Sequence, residues 1–211
     1  MFLKIEDLAP KKVINFYLPQ NILPQNTAFL LNESLPVQNE FLQNMKAIDG
    51  VERLLLTDNM ISCKYCGDNA DDIKSLLMAE IDDYFSQTDD VLKGDFSSNM
   101  LDLAEALADS LIRPTLNRDN GDINILGIRE DTLTLAFTGH CAGCPYAHNT
   151  LKNVIERVFL RYIPQLKKIT LGVTNEKNLL SLLIFVVFFE LRPGQNDYGK
   201  KRRSHNRRIN Y

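Results

Sequence analysis

The feature that most limits the fold of this 211-residue chain is a change of hydrophobic period across one short loop. Between residues 132 and 138, apolar residues occupy every second position, which predicts a strand with one buried face. Residues 147–162 then place apolar side chains at intervals of three and four, which predicts an amphipathic helix. The helix is expected to bury Ala147, Leu151, Val154, Ile155, Val158, Phe159 and Tyr162. The connecting loop, Gly-His-Cys-Ala-Gly-Cys-Pro, must therefore lead from a sheet into a helix.

The second half of the chain predicts one compact α+β unit around this loop. A helix is expected at residues 100–116, with Ser98 or Asn99 as its cap, and Pro164 ends the helix that follows the loop. Strands are predicted at residues 122–127, 132–138 and 168–173. The predicted order is α-β-β-α-β, with a three-stranded sheet packed by two helices.

The first half predicts a second small α+β domain. We expect a strand at residues 12–18 and a helix at 39–47. A hairpin of two strands, 51–57 and 60–65, and a further helix at 71–85 follow. The acidic and polar stretch between the halves has no sustained periodicity, which indicates a linker. We therefore predict an N-terminal domain at residues 1–86 and a linker at 87–99. A C-terminal domain at 100–175 and a tail at 176–211 follow.

Charge and hydropathy limit the partners of this chain. The net charge is −3, but residues 192–211 carry +6, so the rest carries −9. Such an acidic body argues against nucleic acid as the main partner. The apolar run at residues 179–189 is shorter than the roughly 20 residues of a membrane-spanning helix, so a membrane is not expected. The first residues resemble neither a signal peptide nor a transit peptide, which favours the bacterial cytoplasm or, for a processed eukaryotic protein, the mitochondrial matrix.

Cys141 and Cys144 are the candidate functional residues. They are spaced Cys-x-x-Cys and precede a predicted helix, whose N-terminal N–H groups and partial positive charge favour thiolate over thiol. Gly139 and Gly143 permit unusual backbone angles and leave room for a bulky ligand. A cluster or a tetrahedral zinc ion takes four ligands, and this pair supplies two. The other two could come from a second copy of the chain or from Cys63 and Cys66; alternatively, the pair cycles as a dithiol without metal.

The remaining candidate side chains have weaker signals. Cys63 and Cys66 share the spacing, but they lie at the end of a predicted strand with no helix start behind them, so a thiol pair without metal is expected. His140 and His148 flank the loop and are expected to be satisfied or exposed histidines rather than ligands.

Several short motifs stand out in both halves of the chain. In the C-terminal half they are Leu-Ile-Arg-Pro at 111–114, Asp-Asn-Gly-Asp at 119–122, Gly-His-Cys-Ala-Gly-Cys-Pro at 139–145, Thr-Leu-Lys at 150–152 and Tyr-Ile-Pro at 162–164. In the N-terminal half they are Ser-Leu-Pro at 34–36, Ile-Asp-Gly-Val at 48–51 and Asn-Met-Ile-Ser at 59–62. With these motifs the C-terminal half resembles the C-terminal domain of NifU, and the first domain is similar to the N-terminal domain of Nfu-type scaffold proteins. The family usually has Gly-Gly where this chain has Asn120-Gly121.

The resemblance implies an iron–sulfur cluster scaffold or carrier without catalytic turnover. Cys141 and Cys144 of two chains would share one [4Fe–4S] cluster, which passes to apo iron–sulfur proteins, with upstream assembly proteins as further partners. Two alternatives use the same cysteines: a thiol–disulfide oxidoreductase and a zinc-bridged structural dimer.

Overall fold

A computed structural model describes most of the chain. The described residues are 4–31, 39–88, 90–93, 98–143 and 147–172, and for residues 147–151 the backbone alone is described. Cys144, the His148 side chain and the predicted tail therefore lie outside the described residues. None of the described helices is both long and apolar enough to cross a membrane.

Five antiparallel strands form the first sheet, in the order β1-β2-β5-β4-β3. These strands are β1 (Lys4–Leu8), β2 (Val13–Tyr17), β3 (Ala28–Leu31), β4 (Val51–Thr57) and β5 (Met60–Tyr65). The predicted strand at 12–18 and the predicted hairpin are confirmed, and so are the two helices, α1 (Glu40–Ala47) and α2 (Ala70–Gln87). Asn39 caps α1 by accepting a hydrogen bond from the N–H of Leu42.

Two strands of this sheet have no counterpart among the predictions. β1 is an edge strand whose residues are all exposed or half-buried, so its sequence shows no clear alternation. β3 is the opposite case, because all four of its residues are buried. A strand covered on both faces shows no period of two.

The C-terminal half contains the predicted order of elements. β6 (Gly121–Arg129) and β7 (Thr132–Gly139) form an antiparallel hairpin, and β8 (Lys168–Leu171) pairs with β7 in parallel. Two helices, α3 (Met100–Leu107) and α5 (Ala147–Tyr162), accompany this sheet. Ile155, Phe159 and Tyr162 of α5 are buried as expected and Val158 is half-buried, but Val154 is exposed.

The predicted helix at 100–116 is interrupted by a π-helical turn, Ala108–Ile112, which separates α3 from α4 (Arg113–Asn117). Asn99 caps α3 through its Oδ1 atom. Pro114 explains the interruption, because it has no N–H to donate to the carbonyl of Ser110 four residues earlier. That carbonyl instead accepts a hydrogen bond from Nδ2 of Asn15 in β2, at 2.9 Å.

The two halves share a hydrophobic core. One face of the first sheet packs against α1 and α2, and the opposite face contributes to the core of the C-terminal half. The side chains on this second face are Ala28, Leu30, Leu55 and Met60. Residues 4–172 therefore belong to one compact unit, although each sheet is built from one half of the chain.

The described part of the predicted linker packs onto the first sheet. Leu92 is buried, and its N–H donates to the carbonyl of Ile22 at 2.9 Å. Ser98 Oγ accepts a hydrogen bond from the N–H of Leu30 at 3.0 Å. These contacts tie the connection to the N-terminal half, and the boundaries at 86 and 99 stay predictions.

A buried carboxylate joins the two halves beside the shared core. Asp109 lies in the π-helical turn and is 7% exposed. It accepts hydrogen bonds from Arg53 Nη2 of β4 at 2.8 Å, Lys64 Nζ of β5 at 3.1 Å and Arg113 Nη1 of α4 at 2.7 Å. The hydroxyl groups of Ser62 and Ser110 lie 2.7 Å apart in the same interface. Three cations therefore surround one anion where the two halves meet.

A second carboxylate connects the first sheet to the end of α5. Asp58, in the turn between β4 and β5, is buried and accepts hydrogen bonds from Arg161 and from the hydroxyl of Tyr162, the latter at 2.9 Å. Burial, followed by this hydrogen bond, raises the pKa of Tyr162. Tyr162 therefore stays a neutral donor across the physiological range of pH.

Asp109→Asn is expected to lower the free energy of unfolding at pH 7 by about 3 kcal/mol, because it removes a largely buried charge that Arg53, Lys64 and Arg113 share. Burial opposes ionisation of Asp109, but hydrogen bonds and charges from Arg53, Arg113 and Lys64 outweigh it and lower the pKa of its carboxyl. The stabilisation is therefore complete above about pH 4 and lost as the pH falls through the lower folded-state pKa. Urea unfolding between pH 3 and pH 7, followed by circular dichroism, measures both effects.

Asp131→Asn is the matched control. Asp131 also pairs with a lysine, Lys167, but both side chains are exposed, so its removal should hardly change stability. Equal losses in the two variants would contradict the assignment of Asp109 as the buried anion.

Candidate functional site

Cys141 lies at the end of the β6–β7 hairpin, as the sequence predicts. Gly121 and Gly139 are paired across the hairpin, and a 3₁₀ turn, His140–Gly143, follows directly. Cys141 is 6% exposed and belongs to the core cluster of the C-terminal half. α5 begins at Ala147, so the structure places the cysteine loop between a strand and a helix. Its second cysteine, Cys144, lies outside the described residues.

Gly121 forms the wall against which the Cys141 sulfur rests. A Cβ atom at position 121 would overlap Cys141 Sγ and would lie 3.3 Å from Cys141 Cβ and 3.4 Å from the carbonyl oxygen of Leu116. Any side chain larger than a hydrogen atom would therefore displace the sulfur. The position of Cys141 thus depends on the absence of a side chain at residue 121.

Two neighbours of Gly121 have left-handed backbone conformations: the preceding residue and the residue paired with Gly121 across the hairpin. Gly139 has φ of 61° and Asn120 has φ of 53°, which asparagine tolerates better than most residues. The N–H of His140 donates to the carbonyl oxygen of Asn120 at 3.0 Å, and a Cβ at Gly139 would overlap that oxygen. The conformational freedom predicted for Gly139 is therefore required, and Asn120 meets the same need where the resembling family usually has glycine.

Charged side chains hold the strand that begins at this wall. Asp122 follows Gly121 and binds Lys11 Nζ at 2.9 Å through Oδ2, while Arg113 Nε lies 3.3 Å from Oδ1. Arg118, in the turn before Asn120, lies 4.0 Å from Glu6 of β1. The sequence gives no signal for these pairs, because Lys11 and Asp122 are 111 positions apart.

The second cysteine pair lies in a different environment. Cys63 is fully buried in the core between the first sheet and its helices, and burial, with a smaller effect of Glu52, raises the pKa of its thiol to about 12. Cys66 is exposed. The metal-binding form of cysteine is the thiolate, whereas Cys63 is held as a neutral thiol in the core cluster on the helix-covered face of the first sheet, and Cys141 belongs to the other cluster. The structure therefore argues against Cys63 and Cys66 as the two missing ligands.

No group of three or more potential metal ligands is found among the described residues. His140 is exposed, which agrees with the expectation for this residue. The described part of the site is therefore a buried cysteine sulfur held by backbone geometry.

Sequence comparisons relate this chain to known proteins. The model of the NifU-like domain family matches residues 105–170, a range that contains the π-helical turn, the hairpin, both cysteines and α5. The human protein "NFU1 iron-sulfur cluster scaffold homolog, mitochondrial" is 23% identical over 189 residues, which cover 84% of this chain and 74% of that protein. The Arabidopsis thaliana protein "NifU-like protein 4, mitochondrial" is 23% identical over 79% of this chain and 64% of its own length.

One solved structure, protein SAV1430 from Staphylococcus aureus, is similar over 38% of this chain and 99% of its own. Its TM-score of 0.34 and identity of 16% are too low to support an argument about fold or function. The relation to known proteins therefore rests on the family model and on the sequence relatives, which agree with each other. Over residues 105–170 the chain matches the NifU-like domain family, and over most of its length it is similar in sequence to NFU1 and NifU-like proteins.

Proposed function

We propose that this protein is an iron–sulfur cluster scaffold or carrier that binds a [4Fe–4S] cluster through Cys141 and Cys144. The observation that carries the proposal is the placement of Cys141 against the side-chain-free wall at Gly121, inside a NifU-like domain. The names of the relatives, which describe iron–sulfur cluster scaffolds, support it. The cluster is cargo rather than a resident cofactor.

Two chains share one cluster in this proposal. Each chain supplies two thiolates, and a cluster with four iron sites needs four, so a symmetric dimer completes the ligand set. The raised pKa of Cys63 supports a partner chain over the second cysteine pair as the source of the missing ligands. Two ligands from each chain also allow release, because a client protein with several cysteines replaces them one at a time.

The protein delivers its cluster to apo iron–sulfur proteins and receives it from upstream assembly proteins, without catalytic turnover. The names of the relatives favour mitochondria as the location and give no support to the bacterial cytoplasm. The two alternatives, a thiol–disulfide oxidoreductase and a zinc-bridged dimer, use the same cysteines and are separated from the proposal by metal and sulfide analysis.

Cys141→Ala and Cys144→Ala are each expected to abolish cluster binding, because either substitution removes two of four ligands from a dimer. The measurement is anaerobic reconstitution with iron and sulfide, followed by iron and sulfide analysis, visible absorption and size-exclusion chromatography. The wild-type protein should bind about four iron and four sulfide ions per two chains. Cys66→Ala is the matched control, since it removes an exposed cysteine of the other Cys-x-x-Cys pair and should bind as the wild type does.

Three results would contradict the proposal. Wild-type protein that binds no more iron than Cys141→Ala has no cluster site. Zinc without sulfide in protein purified under anaerobic conditions indicates the structural dimer. A monomer that exchanges disulfides with dithiol substrates indicates the oxidoreductase.

Gly121→Ala is expected to weaken cluster binding although it leaves both cysteines in place. The added methyl group overlaps Cys141 Sγ, so the sulfur must move, and overpacking of this kind costs about 1–3 kcal/mol of stability. Iron per dimer and the urea midpoint should both fall. Asn120→Gly is the control, because glycine adopts the left-handed conformation of Asn120 without strain. A Gly121→Ala protein with unchanged iron content would show that the wall does not position the sulfur.

A further inference from the structure

Asp122 lies where the N-terminal half of the protein reaches the cysteine site. It is the residue after Gly121, whose Cα faces Cys141 Sγ. Lys11, from the turn between β1 and β2, binds its Oδ2 at 2.9 Å, and both side chains are about one-third exposed. The backbone N–H of Ile123 donates to Oδ1 at 2.8 Å. One carboxylate therefore connects the N-terminal half to the start of β6.

The same carboxylate belongs to a longer series of ion pairs. Arg113 Nε lies 3.3 Å from Asp122 Oδ1, and the Nη1 atom of Arg113 binds Asp109 at 2.7 Å. Asp109 in turn binds Arg53 and Lys64 of the first sheet. Asp122 is thus linked to the N-terminal half in two ways. Lys11 binds it directly, and Arg113 connects it to Asp109, which binds the first sheet.

We infer that the N-terminal half positions the cluster ligand Cys141, and that Lys11 is the residue through which it acts on Asp122. This inference rests on the proposed function. When Lys11 holds Asp122, the start of β6 is fixed, and Gly121 keeps the Cys141 sulfur at one position. When that ion pair is lost, the start of β6 moves more freely, Cys141 becomes more accessible, and the dimer holds its cluster less firmly. Lys11 is thus a positioning residue for cluster retention.

The test is a double-mutant cycle in the full chain with Lys11→Ala, Asp122→Asn and the combined variant. The first readout is the rate at which iodoacetamide alkylates Cys141 in reduced, metal-free protein, measured by mass spectrometry of the Cys141 peptide. The second is the rate at which reconstituted protein loses its cluster to an iron chelator. Each single substitution should increase both rates about fivefold, which corresponds to a coupling of about 1 kcal/mol. The combined variant should be no faster than Asp122→Asn, because Lys11 acts through Asp122.

Two further variants separate positioning from a general effect on stability. Lys11→Arg preserves the ion pair and should keep both rates within about twofold of wild type. Lys12→Ala is the matched control, since Lys12 is the adjacent lysine but bonds within its own half, to the carbonyl of Gly67 at 3.0 Å. In 0.5 M NaCl the difference between wild type and Lys11→Ala should shrink, because salt screens a partly exposed ion pair.

The inference is overturned if Lys11→Ala leaves the alkylation rate of Cys141 unchanged, if Lys12→Ala raises it equally, or if the effects of Lys11→Ala and Asp122→Asn simply add. The alkylation experiment needs no cluster, so it is informative even if reconstitution fails. A wild-type protein that binds no cluster would refute the proposed function alone, and unchanged alkylation in a protein that does bind cluster would refute the inference alone.

Discussion

The structure depends on the docking of the π-helical turn onto the five-stranded sheet. Pro114 leaves the Ser110 carbonyl without a helical donor, and Asn15 of β2 supplies one. Asp109, one residue earlier, binds cations from β4, β5 and α4. These polar groups lie beside the apolar core that both halves share, so most of them find a partner across the interface. An error in the register of either half would leave several of them unsatisfied.

This arrangement explains which predictions from sequence were correct. The hairpin of β4 and β5 was predicted residue by residue, because apolar runs on either side of Asp58-Asn59 specify it locally. The order of elements around Cys141 was also correct, since both periods are strong there. β3 and the exposure of Val154 were not predicted, because each depends on what another element covers. The π-helical turn was missed as well, although Pro114 within the helical pattern was a local sign of it.

At the candidate site, too, local features were predictable from the sequence and contacts between distant residues were not. The sequence identified Cys141 and the need for unusual backbone angles at Gly139, since residue type and spacing carry that information. It did not identify Gly121 as the surface against which the sulfur rests, or Lys11 and Arg113 as the partners of Asp122. Those contacts join distant parts of the chain. The helix that follows the cysteines is held in a comparable way, because Arg161 and Tyr162 at its far end bind Asp58 of the first sheet. The start of β6, which faces the cysteine loop, and the helix that follows the loop are thus both held by contacts to the N-terminal half.

The pairing of Gly121 with Gly139 has a consequence for the dynamics of the hairpin. Opposed residues in a sheet usually stabilise each other through their side chains, and this pair has none. The end of the hairpin beside Cys141 is therefore held by main-chain hydrogen bonds and by its flanking residues, whereas further along, Ile123 opposes Phe137 in the core. Local opening should begin at the glycine pair and stop at that apolar pair. The end of the hairpin beside the cysteine can therefore fray while the pair Ile123 and Phe137 keeps the rest of the hairpin closed.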